Sequence, residues 1–259
     1  MREEILREYY GDGSLEEIRF TKDKAHSVEY LTTKRYIDKY LKKGDRILEV
    51  GAGTGAYSLY YASLGYKVNA IEFVPGNLNT LKSKITNDMN ILAEQGDALD
   101  LSRFADETFD VTMVLGPLYH LYTEEDKKRT IEEAIRVTKK NGIIYLAYLT
   151  SDSVFVSYCL KKHHLLDKDL YDDNYKLKDD PKEIFSVSYI DEFNDIMSNY
   201  NVEYLHSVAT DGITAALRDY VNELNQEEFN VWLNYHYSTC EKRELQGYSN
   251  HMLYVCRKK

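Results

Sequence analysis

From Gly44 onward, short apolar runs alternate with stretches of helical period, and this rhythm predicts most of the fold. Arg46-Ile-Leu-Glu-Val50 reads as a short strand feeding a glycine-rich turn, followed by a helix over 56–64 that stops at Gly65. Residues 67–71 predict a second strand, Pro75 opens a helix towards Ile85, and residues 91–93 make a third, weaker strand. Phe109-Asp-Val-Thr-Met-Val-Leu115 is a fourth. Thr123-Glu-Glu-Asp126 caps a helix to about Lys140, which Asn141-Gly142 terminates, and residues 142–149 form a fifth strand. Such alternation implies parallel strands joined by right-handed crossovers, so the fold class is α/β with a doubly wound sheet covered on both faces.

Residues 1–43 read as a helical cap. Ser14-Leu-Glu-Glu17 resembles a capping box, and Val28, Leu31, Tyr36, Ile37 and Leu41 make a broken helical stripe. Beyond Thr150 the rhythm breaks, and the polar, aromatic segment 151–187 suits a lid or insertion. Ser188-Tyr-Ile-Asp191 caps a further helix, residues 202–208 read as strand six, two helices fill roughly 213–242, and His251-Met-Leu-Tyr-Val-Cys256 closes the sheet. No repeat, linker or low-complexity tract divides the chain. A single domain is expected: cap 1–43, core 44–150, lid 151–187, and 188–259 as the rest of the sheet with a helical insertion.

The informative motif is Glu49-Val-Gly51-Ala-Gly53-Thr-Gly55, between a strand and a helix. Glycines there let backbone approach a ligand, and the helix N-terminus offers free N–H groups. Gly51, Gly53 and Ala56 also satisfy the dinucleotide fingerprint, and Glu72 at the end of strand two suits a ribose in either reading. Glu49 weighs against a pyrophosphate, which would meet its negative charge, and favours a cationic sulfonium with a free amino group. Gly96-Asp97-Ala98 places an acid where an adenine amino group is received. Leu115-Gly-Pro-Leu-Tyr-His-Leu121 opens the sheet edge after strand four.

The run 47–121 resembles the class I S-adenosylmethionine-dependent methyltransferases, in particular a bacterial small-molecule branch with a Gly-Pro-Leu-Tyr-His-Leu segment. The likeness spans roughly 28–150, and Asp211-Gly-Ile and Ser249-Asn-His resemble the same branch more weakly. It implies a Rossmann-like, mostly parallel seven-stranded sheet ending in an antiparallel hairpin, with S-adenosylmethionine as cofactor and S-adenosylhomocysteine as product. Carried over by motif, Glu49, Gly51, Ala52, Gly53 and Gly55 hold the methionine portion, and Glu72 grips the ribose. Phe73 and Val74 lie beside the adenine, Asp97 and Ala98 meet its edge, and Leu115 and Gly116 lie under the sulfonium.

Methyl transfer is an in-line displacement, so positioning is the protein's main task, and a base is needed only where the nucleophile must lose a proton. His120 is the candidate base, with Tyr119 beside it, because strand four ends at the active edge and imidazole titrates near neutrality. Tyr122, Tyr148, Trp232 and His236 are candidate substrate contacts; Trp232 and His236 share a helix face. No spacing of His, Cys or acids suggests a metal. Three scattered cysteines, a charged start without a secretory core and no long apolar run indicate a cytoplasmic chain that does not cross a membrane. A net charge of −10 without a basic patch weighs against nucleic acid, leaving a small-molecule substrate in front. An RNA or protein methyltransferase, a nicotinamide oxidoreductase and a non-catalytic cofactor-binding module remain the alternatives. Oligomeric state is not legible.

Overall fold

Both faces of the central strands are buried, as a sheet covered by helices on two sides requires. In β1 (Arg46–Val50) the neighbours Ile47 and Leu48 point to opposite faces, yet both are fully buried. The computed structural model describes residues 2–180, 182 and 184–259. Met1, at the head of the expected cap, and Pro181 and Glu183, inside the expected lid, lie outside the described residues.

Three helices precede the sheet: α1 (Arg2–Tyr10), α2 (Ser14–Glu17) and α3 (Lys24–Asp38). After β1 come α4 (Ala56–Ser63), β2 (Lys67–Glu72), α5 (Pro75–Ser83), β3 (Ile91–Gln95) and β4 (Phe109–Val114). A 3₁₀ turn at Pro117–His120 leads to α6 (Glu124–Val137) and β5 (Thr138–Leu149). Then follow α7 (Ser151–Val154), which runs into a π-helical turn at Phe155–Leu160, α8 (Ile190–Ser198) and β6 (Val202–Ala209). A 3₁₀ turn at Gly212–Ala215, α9 (Arg218–Glu223), α10 (Gln226–Thr239), α11 (Arg243–Gln246) and β7 (His251–Lys258) complete the chain.

The seven strands lie in the order β3-β2-β1-β4-β5-β7-β6. The first five pair in parallel, and β7 runs antiparallel between β5 and β6. The expected doubly wound sheet with its antiparallel hairpin is thus the fold observed. Strand order reverses between β1 and β4, where the crossovers leave a crevice at the strands' carboxyl ends.

Three local readings are corrected. Ser14 does not cap α2: it lies inside the helix, Gly13 occupies the cap position in a left-handed conformation, and the Ser14 N–H donates to Asp12. Asn141-Gly142 does not end α6. That helix stops at Val137, and Asn141, at φ 64°, lies inside β5, where the register against β4 shifts. Pairing with β4 and β7 overrides the local turn signal, leaving a bulge. Ser188 does not cap α8 either; it bridges Thr150, and the Glu192 carboxylate accepts the N–H of Tyr189.

The cap is tied to the sheet through Tyr145. Fully buried in β5, it donates its hydroxyl to the carbonyl of Tyr36 at 3.1 Å, in the last turn of α3. Tyr145→Phe removes this bond at a fully buried position, so urea unfolding of the ligand-free protein is expected to show a loss of about 1–2 kcal/mol. An unchanged midpoint would mean that the hydroxyl does not hold α3.

Candidate active site

The glycine bend is a product of its φ angles. Gly51, Gly53 and Gly55 stand at +77°, +55° and +91°, a region closed to most side chains. Space restricts them too: a Cβ on Gly51 would lie 2.6 Å from Cδ of Pro117, and one on Gly55 would lie 2.8 Å from Leu81. The Gly51 and Ala52 N–H groups donate to the Ile71 carbonyl at 2.8 and 3.0 Å, binding the bend to the end of β2.

Glu72 completes that junction. Its carboxylate accepts from the Gly53 N–H at 2.7 Å and the Val74 N–H at 2.8 Å, with the Asn77 amide at 3.4 Å. Burial raises its pKa while these donors pull it down. Each oxygen keeps acceptor capacity for a ligand hydroxyl. Asn77 lines the same cavity; its Nδ2 is the atom turned to Glu72, and its buried Oδ1, without a hydrogen-bond partner among the described residues, lies against Gly13. Glu49 is fully buried at the end of β1, accepts a hydrogen bond from Ser58, and is pushed up to about 8 chiefly by loss of solvent. A buried acid in that state favours an incoming cation.

These groups line one cavity of about 850 Å³, counting the part open to solvent. Glu49, Gly51, Ala52, Gly53, Glu72, Phe73, Val74, Asp97, Ala98, Leu115 and Gly116 all face it. Of the motif, Val50 and Gly55 stand back, Gly55 as the left-handed residue that starts α4 against α5. Tyr119 and His120 lie at its far end. The Tyr119 hydroxyl donates to the Leu115 carbonyl at 2.9 Å, and burial moves its pKa up to about 12. The His120 Nδ1 faces the Ile184 carbonyl at 2.8 Å, and its Nε2 faces the Tyr10 hydroxyl at 3.0 Å. Burial drops His120 to about 4, so the ring is neutral at pH 7, donating at Nδ1 and accepting at Nε2.

The other sequence candidates lie elsewhere. Tyr148 stacks on Phe193 with ring centroids 4.0 Å apart, inside the hydrophobic core. Trp232 donates to Thr214 at 3.0 Å, and it lines with His236 a separate pocket beside Gly212. Tyr122 is half-buried just past the 3₁₀ turn and does not line the cavity.

Sequence reasoning missed the roof. Arg2, Leu6, Tyr10, Glu16, Arg19 and Phe20, from α1, α2 and the turn after them, close over the bend. Arg2 pairs with Asp97 and places its guanidinium 4.9 Å from the Phe73 ring. Glu16 packs over Gly53, where a Cβ would meet its side chain at 3.2 Å. No motif marks these residues. Only the charge embedded in an otherwise amphipathic cap could have suggested them.

Comparison with known proteins agrees with this geometry. Residues 48–146 match the family model described as "Methyltransferase domain". A demethylmenaquinone methyltransferase of Paenarthrobacter aurescens is 35% identical over 107 residues, 41% of this chain and 40% of that protein. The chain thus matches well under half the length of that curated relative. Among solved structures, a protein from Pyrococcus horikoshii superposes with a TM-score of 0.63 at 16% identity, covering 97% of this chain and 99% of that one. Magnesium protoporphyrin IX methyltransferase from Synechocystis, with bound S-adenosylhomocysteine, gives 0.60 at 12% identity over the whole of both chains. Bend, acids and sheet order agree with these matches: residues 48–146 are similar to a methyltransferase domain and are carried on the same fold as those solved structures.

Proposed function

We propose that the chain transfers a methyl group from S-adenosylmethionine to a nucleophilic O, N or S of a small molecule, by in-line displacement. The observation that carries this reading is the meeting of Glu49 and Glu72 across the glycine bend in a buried cavity. Among the described residues neither acid has a cationic partner within ion-pair distance. A sugar-bearing cation satisfies that site; a pyrophosphate would be repelled. When bound, the cofactor supplies a methyl group already activated on a sulfonium.

The protein's own contribution is placement and exclusion of water. Glu49 faces the ammonium of the amino-acid portion, and the bend's backbone meets its carboxylate. Glu72 and Asn77 take the ribose hydroxyls, while Phe73, Val74, Asp97 and Ala98 frame the base. The α1–α2 roof shields the reacting edge, where Leu115 and Gly116 sit beside Tyr119 and His120. His120, neutral and poorly basic, serves there by holding Tyr10 over the cavity. A small acceptor is favoured by this closed roof and by the acidic net charge. The relative named for demethylmenaquinone, a small organic substrate, points the same way. The irregular segment 151–187 is proposed as the acceptor-side lid, since Phe185 stacks on His120 at 5.4 Å.

Glu72→Ala is expected to weaken S-adenosylhomocysteine binding by about 1.5–3 kcal/mol, the worth of hydrogen bonds to a charged group. Calorimetry giving wild-type affinity counts against the assignment. Glu49 makes a second expectation. With a free-state pKa of about 8 it is mostly protonated at neutral pH, and an adjacent ammonium favours its ionised form. Binding near neutral pH therefore releases a proton, and affinity rises with pH until about 8. Titration in buffers of different ionisation enthalpy reads this directly, and no proton release removes Glu49 from the cationic end. Arg2 occupies both the face of Phe73 and the carboxylate of Asp97, which the adenine would need. Arg2→Ala should bind S-adenosylhomocysteine about two- to fivefold more tightly, the worth of a partly exposed ion pair. Weaker binding would make Arg2 a cofactor contact instead.

A further inference from the structure

Four residues of the cofactor cavity have a second face. Tyr10, Glu16, Arg19 and Tyr119 also line a second chamber, of about 1020 Å³ counting its open part. Its inner wall is a buried polar network drawn from three distant parts of the chain. His251, the first residue of β7, sets Nδ1 2.8 Å from Asp211, and Asp211 is held by the Ser249 hydroxyl at 2.6 Å and the His251 N–H at 3.1 Å. Asp211-Gly-Ile and Ser249-Asn-His, two motifs without an assigned role, thus form one oriented Asp–His pair. On the open side, Nε2 of His251 accepts from Arg19 at 3.2 Å, and Glu29 of α3 lies 3.5 Å from the ring nitrogen Nδ1. Arg19 in turn pairs with Glu29 at 2.6 Å and reaches Glu16 at 3.5 Å.

We propose that this chamber receives the methyl acceptor, that the acceptor is a small arylalkylamine, and that His251 takes its proton. The proposal rests on the methyltransferase reading above. Three observations carry it. Charge is the first: on the inner wall Glu16, Glu29 and Asp211 surround the Arg19 guanidinium and His251, while the other cations of the lining, Lys22 and Arg218, are exposed to solvent at its rim, so even a protonated His251 leaves the inner wall one negative charge that a cation relieves. Second, Arg19 shows what the wall binds, a cationic nitrogen donating at once to Glu29 and to Nε2 of His251. An ammonium makes the same two contacts when it takes the place of one Arg19 N–H. Third, Tyr9, Tyr10 and Phe185 line the same chamber, and their rings are a setting for an aryl body.

The proton account is simple. The ammonium N–H bond breaks, the proton goes to Nε2, and the nitrogen keeps the electron pair. That pair forms the new C–N bond as the methyl–sulfur bond breaks and its electrons stay on sulfur. Asp211, ionised because His251 and Ser249 outweigh its burial, fixes the tautomer with Nδ1–H and stabilises the imidazolium that forms. Burial lowers the proton affinity of His251, but Glu29 and Asp211 together raise it above the ordinary value.

The test uses the full chain, saturated with S-adenosylhomocysteine, and calorimetry with benzylamine, phenethylamine and 3-phenylpropylamine beside their three matched alcohols. At least one amine is expected to bind about tenfold or more tightly than its alcohol, as a charge-assisted contact implies. Glu29→Gln should abolish that preference while leaving S-adenosylhomocysteine affinity unchanged. In turnover with S-adenosylmethionine, His251→Gln should lower kcat for the bound amine about a hundredfold or more. Cofactor-product affinity again reports that the variant is folded. Amines that bind no better than alcohols, or turnover indifferent to His251→Gln, overturn the proposal. So does a zinc or magnesium ion that binds Glu29, Asp211 and His251 and excludes the amine. Failure of S-adenosylhomocysteine itself to bind the wild type would instead strike the methyltransferase reading.

Discussion

The backbone bond from Gly53 to the Glu72 carboxylate is the constraint on which the rest of the site depends. It joins the ends of β1 and β2 through an acid that must remain a hydrogen-bond acceptor, and it does so only because the bend is left-handed at three glycines. Once that junction closes, the Glu49 carboxyl and the spare lone pairs of Glu72 face one volume. The Gly51–Pro117 approach then brings the loop after β4 against the same volume. Cofactor grip and acceptor edge are set by a single packing event.

Electrostatics inside that volume runs against ordinary stability. Glu49 and Glu72 are buried with hydrogen-bond donors but no cationic partner, and burial raises both. Buried acids of this kind are a cost in the ligand-free chain, and the charge that relieves it must arrive with a ligand. Arg2 on Asp97 and Arg19 on Glu29 show the cap providing partial substitutes from its own sequence. The roof is built from the groups whose charges the open site lacks.

The parallel core was legible because β1, β2 and β4 are short, apolar on both faces and punctuated by glycine or proline. The reading failed where two signals competed. Asn141-Gly142 has turn chemistry, but the strand on either side pairs with β4 and β7, so the turn became a bulge. Ser14 has the chemistry of a cap, but Gly13 could take the left-handed angle that the entry to α2 requires. Tyr148 and Trp232 stand as aromatics in strand and helix patterns, which carry no information on whether a ring meets a ligand or another ring. Tyr148 meets Phe193. Arg19, Glu29, Asp211 and His251 converge only after the cap, β6 and β7 have folded together. Their juxtaposition is a property of topology, and a scan for local spacing passes over it.

That distribution bears on how such a chain would change its acceptor while keeping its donor. Glu49 and Glu72 sit in the paired ends of β1 and β2, and the bend and Asp97 follow directly on the ends of β1 and β3. The second chamber is walled by α1, α2, α3, Tyr119, Phe185, the turn that carries Asp211 and the start of β7 at His251. Tyr10, Glu16, Arg19 and Tyr119 line both cavities, so a substitution there alters the roof over the first along with the wall of the second. Glu29 and Asp211 touch only the acceptor side, through side chains on elements whose backbones are held by other contacts. Selectivity can therefore shift through these two acids without disturbing the bend, whereas a change at Arg19 must be felt in both chambers at once.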